Sequence, residues 1–103
     1  MGVMERDEEL LRRSLTGDVS AFGSLVERHE SAVCAISFAV TGDQETAEDV
    51  AQDAFMTAWQ ELASLRDPAR FKAWVCGIAR NLARRTRKVA VQDARIVPDP
   101  APT

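Results

Sequence analysis

Between His29 and Leu65 the sequence has no Lys or Arg, and between Pro68 and Gln92 it has no Asp or Glu. The first stretch carries seven acids, Glu30, Asp43, Glu45, Glu48, Asp49, Asp53 and Glu61. The second carries seven bases, Arg70, Lys72, Arg80, Arg84, Arg85, Arg87 and Lys88. The net charge of -3 conceals this sorting. An acidic and a basic surface in one small domain point to two different partners, the second a polyanion. The plainer alternative is an acidic helix and a basic helix that neutralise each other.

Other shortages exclude whole classes. Only Cys34, Cys76 and His29 could be soft metal ligands, and the cysteines lie far apart with no CxxC partner, so no metal site is expected. Both cysteines read as small reduced residues in or near packed helices. No run reaches the roughly 18 apolar residues of a membrane span. Met1 to Arg13 is charged and lacks the apolar centre of a signal peptide, so a cytoplasmic protein is expected. There is no Gly-rich phosphate loop, no nucleophile with an evident base and no ligand cluster, so neither enzyme chemistry nor a cofactor is expected.

What remains is helical. At 103 residues and 46% hydrophobic content the chain suits one small core. Asp7 is expected to cap a first helix containing Leu10, Leu11 and Leu15, ended by Gly17. Asp18 caps a second, running to about Val40, with a stripe of Val19, Phe22, Val26, Val33, Ile36 and Val40. Asp43 starts a third, from about Gln44 to Leu62, with Ala47, Val50, Ala51, Ala54, Phe55, Ala58, Trp59 and Leu62 repeating at three and four. Ala63 to Asp67 reads as a loop. Asp67-Pro68 opens a fourth helix, striped by Phe71, Trp74, Val75, Ile78 and Leu82 and persisting to about Lys88. Residues 91–103, with Pro98, Pro100 and Pro102, read as a linker or disordered tail after a domain at 1–90. The expected fold is all-α, a compact bundle of about four helices.

A wheel at about 100° per residue puts Glu45, Asp49, Gln52, Asp53, Met56 and Gln60 opposite the third helix's apolar stripe. A flexible apolar Met56 rimmed by acids and amides suits protein docking, though an isolated exposed Met is also ordinary. On the fourth helix Lys72, Ala73, Cys76, Arg80, Arg84 and Arg87 lie opposite the stripe. Small outward residues followed by bases suit a nucleic-acid backbone. Arg80 and Asn81 can also read base edges or hold a phosphate. Dipole complementation explains Arg84 to Lys88 equally well, but not Arg70, Lys72 and Arg80. The aromatics sit mostly at stripe positions and read as core. The loop from Ser64 to Ala69, with Arg66 and Asp67, is the better place to hold a base.

Asp18-Val19-Ser20-Ala21-Phe22 resembles the start of conserved region 2 in extracytoplasmic-function (ECF) sigma factors of bacterial RNA polymerase, members of the sigma-70 family. Ala47-Glu48-Asp49-Val50-Ala51-Gln52-Asp53-Ala54-Phe55 with Ala58-Trp59 resembles that family's core-binding helix. Phe71-Lys72-Ala73-Trp74-Val75 and Gly77-Ile78-Ala79-Arg80-Asn81-Leu82-Ala83 resemble its promoter-reading helix. The segments keep the family's order over about Glu9 to Lys88.

The resemblance implies a transcription initiation factor domain. Asp49, Gln52, Asp53 and Met56 would grip the clamp coiled coil of the largest subunit of core RNA polymerase. Arg66 and Asp67 would hold a flipped-out base of the promoter minus-ten element. Lys72, Arg80, Asn81, Arg84, Arg87 and Lys88 would face promoter DNA, favouring strand opening. An anti-sigma factor is a further implied partner, able to cover either face. Asp53 stands where the family usually has Glu, which implies a shorter contact. The family's second, helix-turn-helix domain (region 4) is absent up to Thr103, so upstream promoter recognition is not expected. A sigma-like decoy or adaptor that binds a regulatory protein and never touches DNA is the alternative; the basic fourth helix argues against it.

Overall fold

Three aspartates set where helical structure begins. Asp18 accepts a hydrogen bond from the Ala21 amide at 3.1 Å, Asp43 from the Thr46 amide at 2.8 Å, and Asp67 from the Ala69 amide at 3.0 Å. Each satisfies an amide that has no partner within its own helix. The computed structural model describes residues 5–96. It has four helices: α1 Asp7–Leu15, α2 Val19–Thr41, α3 Gln44–Gln60 and α4 Phe71–Ile96. Between α3 and α4 lie two single 3₁₀ turns, Leu62–Ser64 and Pro68–Arg70. Gly42 follows α2 at φ 70°, a left-handed conformation that glycine adopts without a Cβ penalty. The Thr46 hydroxyl and amide hold the Asp43 carboxyl below its usual range.

The helices form the all-α bundle that the periodicity implied. α2 is central and packs on α1, α3 and α4. α3 buries four alanines, Ala47, Ala51, Ala54 and Ala58, along with Val50 and Phe55. α4 buries Phe71, Val75, Ala79 and Ala83 at four-residue spacing. Small residues on both helices let backbones approach closely. Buried Ser14 and Ser37 return their hydroxyls to the carbonyls of Leu10 (2.7 Å) and Val33 (2.8 Å), so neither is left unpaired. Phe22 joins the layers: its ring centroid lies 5.1 Å from Trp59 and 6.3 Å from Phe71, and Phe71 lies 6.1 Å from Trp74.

Several expectations shift. Asp7 does not cap α1; Arg6 occupies that position without a side-chain bond, and Asp7 reaches across to Arg28 and His29 instead. A tertiary ion pair has displaced a local cap. Leu15 is 56% exposed because Ser14 takes the inward place in its turn. On α2, Leu25 and Ser37 are fully buried, whereas Val19 and Phe38 from the aromatic and stripe sets are exposed. A helix packed on three neighbours buries more than one stripe, and Ser37 occupies the place beside Phe38. Trp59 and Trp74 are only half-buried. Leu62 is buried, but in the 3₁₀ turn beyond the end of α3. Cys76 is 7% exposed, not on the outer face, because α4's buried arc centres on Val75 and Ala79. α4 also continues past Lys88 to Ile96, so helix covers part of the stretch read as tail. Pro98, Pro100 and Pro102 lie outside the described residues.

Candidate protein-docking and nucleic-acid interfaces

The sorted charges remain unpaired in three dimensions. Among the described residues the ion pairs are Arg12–Glu9, Arg13–Glu5, Arg13–Asp18 and Arg28–Asp7, and His29 makes a hydrogen-bond contact with Asp7. None uses an acid of α3 or a base of α4. Mutual neutralisation of the two helices therefore does not account for the sorting. Unpaired charges of one sign on one face leave a field able to attract an oppositely charged partner.

On α3, Glu45, Asp49, Gln52, Asp53, Met56 and Gln60 are all exposed, with Met56 at 62%. The structure adds what a single-helix wheel could not show. α2 contributes Val19, Val26, Glu30 and Cys34 to a groove beside Met56. One end of about 340 Å³ is apolar, floored by Val19, Phe22, Phe55 and Trp59. The other end, of about 430 Å³, shares Val26, Phe55 and Met56 and is bordered by Glu30, Cys34, Glu48 and Gln52. A partner offering apolar residues flanked by bases would match this surface. The one available signal in sequence was the seven-residue spacing of Val19 and Val26.

Cys34 sits in that groove. Desolvation, followed by the Glu30 and Glu48 carboxylates, pushes its thiol above the ordinary value. The thiolate is the nucleophile, so the free chain should alkylate slowly at neutral pH and faster as pH rises. Glu48→Gln removes one carboxylate, lowers the thiol's pKa and should speed iodoacetamide labelling at pH 8 by up to several-fold. Mass spectrometry of labelling against pH checks this; an unchanged rate would show that Glu48 does not contribute to the thiol's reactivity.

On α4, Lys72, Arg80, Asn81, Arg84, Arg87 and Lys88 are exposed. From Arg84 to Asp93 every residue is exposed, so this half of α4 extends past the core as a cationic arm. Arg84, Arg87 and Lys88 meet Ala39, Val40 and Val91 in a hollow of about 530 Å³ beside the end of α2. Ala73 and half-buried Gly77 precede the arm. A Cβ at Gly77 would meet no atom within 4 Å, so packing does not require glycine there. Gly77→Ala should therefore raise stability by about 0.5–1 kcal/mol, read as a higher melting temperature. A bulky Gly77→Leu should instead weaken any ligand that runs along this face, without unfolding the chain.

The α4 entrance forms a third feature. Leu65, Arg66, Asp67, Arg70, Ala73 and Trp74 line a cleft of about 280 Å³. Asp67 fixes its rim twice, accepting from the Ala69 amide through Oδ1 and from the Arg70 amide through its carbonyl at 2.9 Å. Its Oδ2 has no hydrogen-bond or ion-pair partner among the described residues. Trp74 puts one part of its ring on Phe71 and another in the cleft. An aromatic face, a free acceptor and two guanidinium groups are the equipment for holding a flat polar heterocycle. Arg66 and Asp67 are thus brought to Trp74, while Arg84, Arg87 and Lys88 stand about 15–21 Å away along the helix by its rise of about 1.5 Å per residue. No cluster of three or more candidate metal ligands occurs among the described residues. No helix among them is long and apolar enough to cross a membrane.

A family model described as Sigma-70 region 2 matches residues 25–90. Among curated proteins, the chain is 45% identical over 74 residues to a probable RNA polymerase sigma factor RfaY of Xanthomonas campestris pv. campestris, covering 72% of this chain and 18% of that protein. It is 35% identical over 80 residues to the ECF RNA polymerase sigma-E factor of Escherichia coli K12, covering 76% and 40%. The chain spans less than half the length of either. Among solved structures, an engineered region 2 of sigmaE in complex with GTAAAA, determined by NMR, superposes with a TM-score of 0.77 at 31% identity. That likeness covers 93% of this chain and 98% of the other.

Proposed function

The chain belongs to the sigma-70 region 2 family, and from that membership we propose that it is the minus-ten-recognising, polymerase-binding module of an ECF sigma factor. The observation that carries the reading is the pair of exposed surfaces, acidic on α3 and basic on α4, that form no ion pairs with each other among the described residues. Asp49, Gln52, Asp53 and Met56, with Val19 and Val26 of α2, form the surface for the clamp coiled coil of core polymerase. An apolar groove with an acidic border matches a helix carrying apolar residues and bases. Asp53 has one methylene less than Glu, so its contact requires closer approach.

DNA takes the α4 surface. The Leu65–Trp74 cleft receives an unstacked base of the minus-ten strand, with Arg66 and Asp67 at its rim. Lys72, Arg80 and Asn81 follow the strand, and Arg84, Arg87 and Lys88 hold phosphates. Strand opening needs no bond chemistry here: a captured base cannot re-pair, so capture shifts the duplex toward its melted form. An anti-sigma factor that fills the α2–α3 groove would exclude polymerase by occupancy alone. The decoy reading is less favoured, because it leaves α4's unpaired bases without a task.

Two measurements test this. Asp49→Arg should lower affinity for core polymerase by on the order of tenfold or more, since it sets a like charge against the partner's bases, while the melting temperature stays near the parent's. Retention of Asp49→Arg on immobilised core polymerase equal to the parent's would remove α3 from the docking surface. Fluorescence anisotropy should show single-stranded GTAAAA binding more tightly than a scrambled hexamer at fixed salt. Equal affinities would leave the chain a polymerase-binding domain without base reading.

A further inference from the structure

Nothing in the proposed function gives α1 a task, and the family match begins only at residue 25. Yet α1 is tied to the base-capture loop by two routes. Directly, it packs on the Pro68–Arg70 turn, and Leu11, Leu15 and Pro68 share one surface hollow. The second route runs through side chains. One carboxylate oxygen of Asp7 accepts from Arg28 at 3.0 Å, and the other lies 2.7 Å from Nε2 of His29. The His29 side chain is only 13% exposed, and its ring centroid lies 5.5 Å from that of Phe71. Phe71 is 1% exposed, directly follows Arg70, and abuts Trp74 in the cleft.

We infer that Asp7 and His29 are positioning residues for base capture. Asp7 holds the His29 ring, His29 braces Phe71, and Phe71 sets both the Pro68–Arg70 turn and the inner side of Trp74. The inference rests on the reading of the Leu65–Trp74 cleft as the base site. Its physical content is preorganisation: a loop already held in place loses less freedom when a base arrives, so more of the contact energy is realised as affinity. The arrangement also explains why Asp7 forgoes a local cap for two distant partners.

Amide hydrogen exchange on the chain tests the brace independently of any ligand. His29→Leu keeps an apolar body against Phe71 but removes the bond to Asp7. His29→Gln retains an N–H donor at a similar reach. Asp7→Ala removes the anchor from a partly exposed position, which keeps folding within reach. His29→Leu and Asp7→Ala should each speed exchange of the Ala69 and Arg70 amides by about tenfold, with core amides such as Val33 and Ala54 changing less than about twofold. His29→Gln should restore the parent pattern. Affinity for single-stranded GTAAAA should fall about fivefold in His29→Leu and recover in His29→Gln. The salt slope should stay at the parent's value, because the phosphate-facing bases are untouched. Unchanged exchange at Ala69 and Arg70, or a rise shared equally by the core, would overturn the positioning role whatever the DNA result. A parent chain with no preference for GTAAAA over its scramble would instead overturn base capture without altering the exchange result, so the two failures are distinguishable.

Discussion

Phe71→Ala is expected to remove about 3–5 kcal/mol of folding stability, the range for truncating a large buried aromatic. For a domain of this size that corresponds to a melting temperature lower by about 12–40 °C. Phe71 is nearly inaccessible and touches Phe22, His29 and Trp74, which come from α2 and α4. Its removal opens a void where two helices and the entering turn converge. Trp74→Ala should cost less, about 1–3 kcal/mol, since part of its ring already faces solvent. The two variants separate stability from binding. Phe71→Ala should lose both together, whereas Trp74→Ala should lose more base affinity than its melting temperature suggests. Urea titration and oligonucleotide anisotropy on the same samples read both. A Phe71→Ala protein that melts with the parent would show that the aromatic cluster does not hold α4 on α2.

The charge-reversed variant Arg84→Glu/Arg87→Glu/Lys88→Glu should lose on the order of 10²-fold or more in DNA affinity at 0.1 M salt while remaining folded. All three side chains are exposed and none has an ion-pair partner among the described residues, so reversal breaks no internal ion pair. Neutral glutamines at the same positions make the mechanism measurable. If each base releases one counterion from a single strand, the log–log salt slope should fall by about 2 for the three, at about 0.7 each. A reduced affinity with an unchanged slope would mean that these residues do not act through phosphates. Preference for GTAAAA over a scramble should survive the glutamine variant, since phosphate contacts position the strand and base contacts discriminate.

These two predictions draw on different kinds of legibility. The arm was readable as sequence: Arg80, Arg84 and Arg87 recur at helical spacing, and no acid interrupts them. Phe71 was readable as core, but not as the residue on which α1, α2 and the base loop converge. The α3 face was legible for the same reason as the arm, because one helix fixes which of its own residues are neighbours. Its counterpart on α2 was not, since Val19 looked like the start of a buried stripe. Cys76 was misplaced by a wheel centred on the large apolar residues; Ala79 and Ala83 pull the buried arc toward it. Asp7 looked like a cap because caps are local, and nothing nearby in sequence announces Arg28 and His29 at 21 and 22 residues' distance.

The sequence by itself determined the helices, their order, their aspartate starts at residues 18, 43 and 67, and the segregation of acids from bases. Those depend on periodicity and on hydrogen bonds spanning two or three residues, which no tertiary context needs to supply. Only the tertiary structure decided that the opposite charges stay unpaired among the described residues, since that depends on where α3's acids and α4's bases lie relative to each other. Only it could join Val19 and Val26 to Met56 in one groove, and Trp74 to Arg66 and Asp67 in one cleft. Grooves and clefts belong to pairs of elements, and which faces two helices present to each other is set by the packing of the whole core.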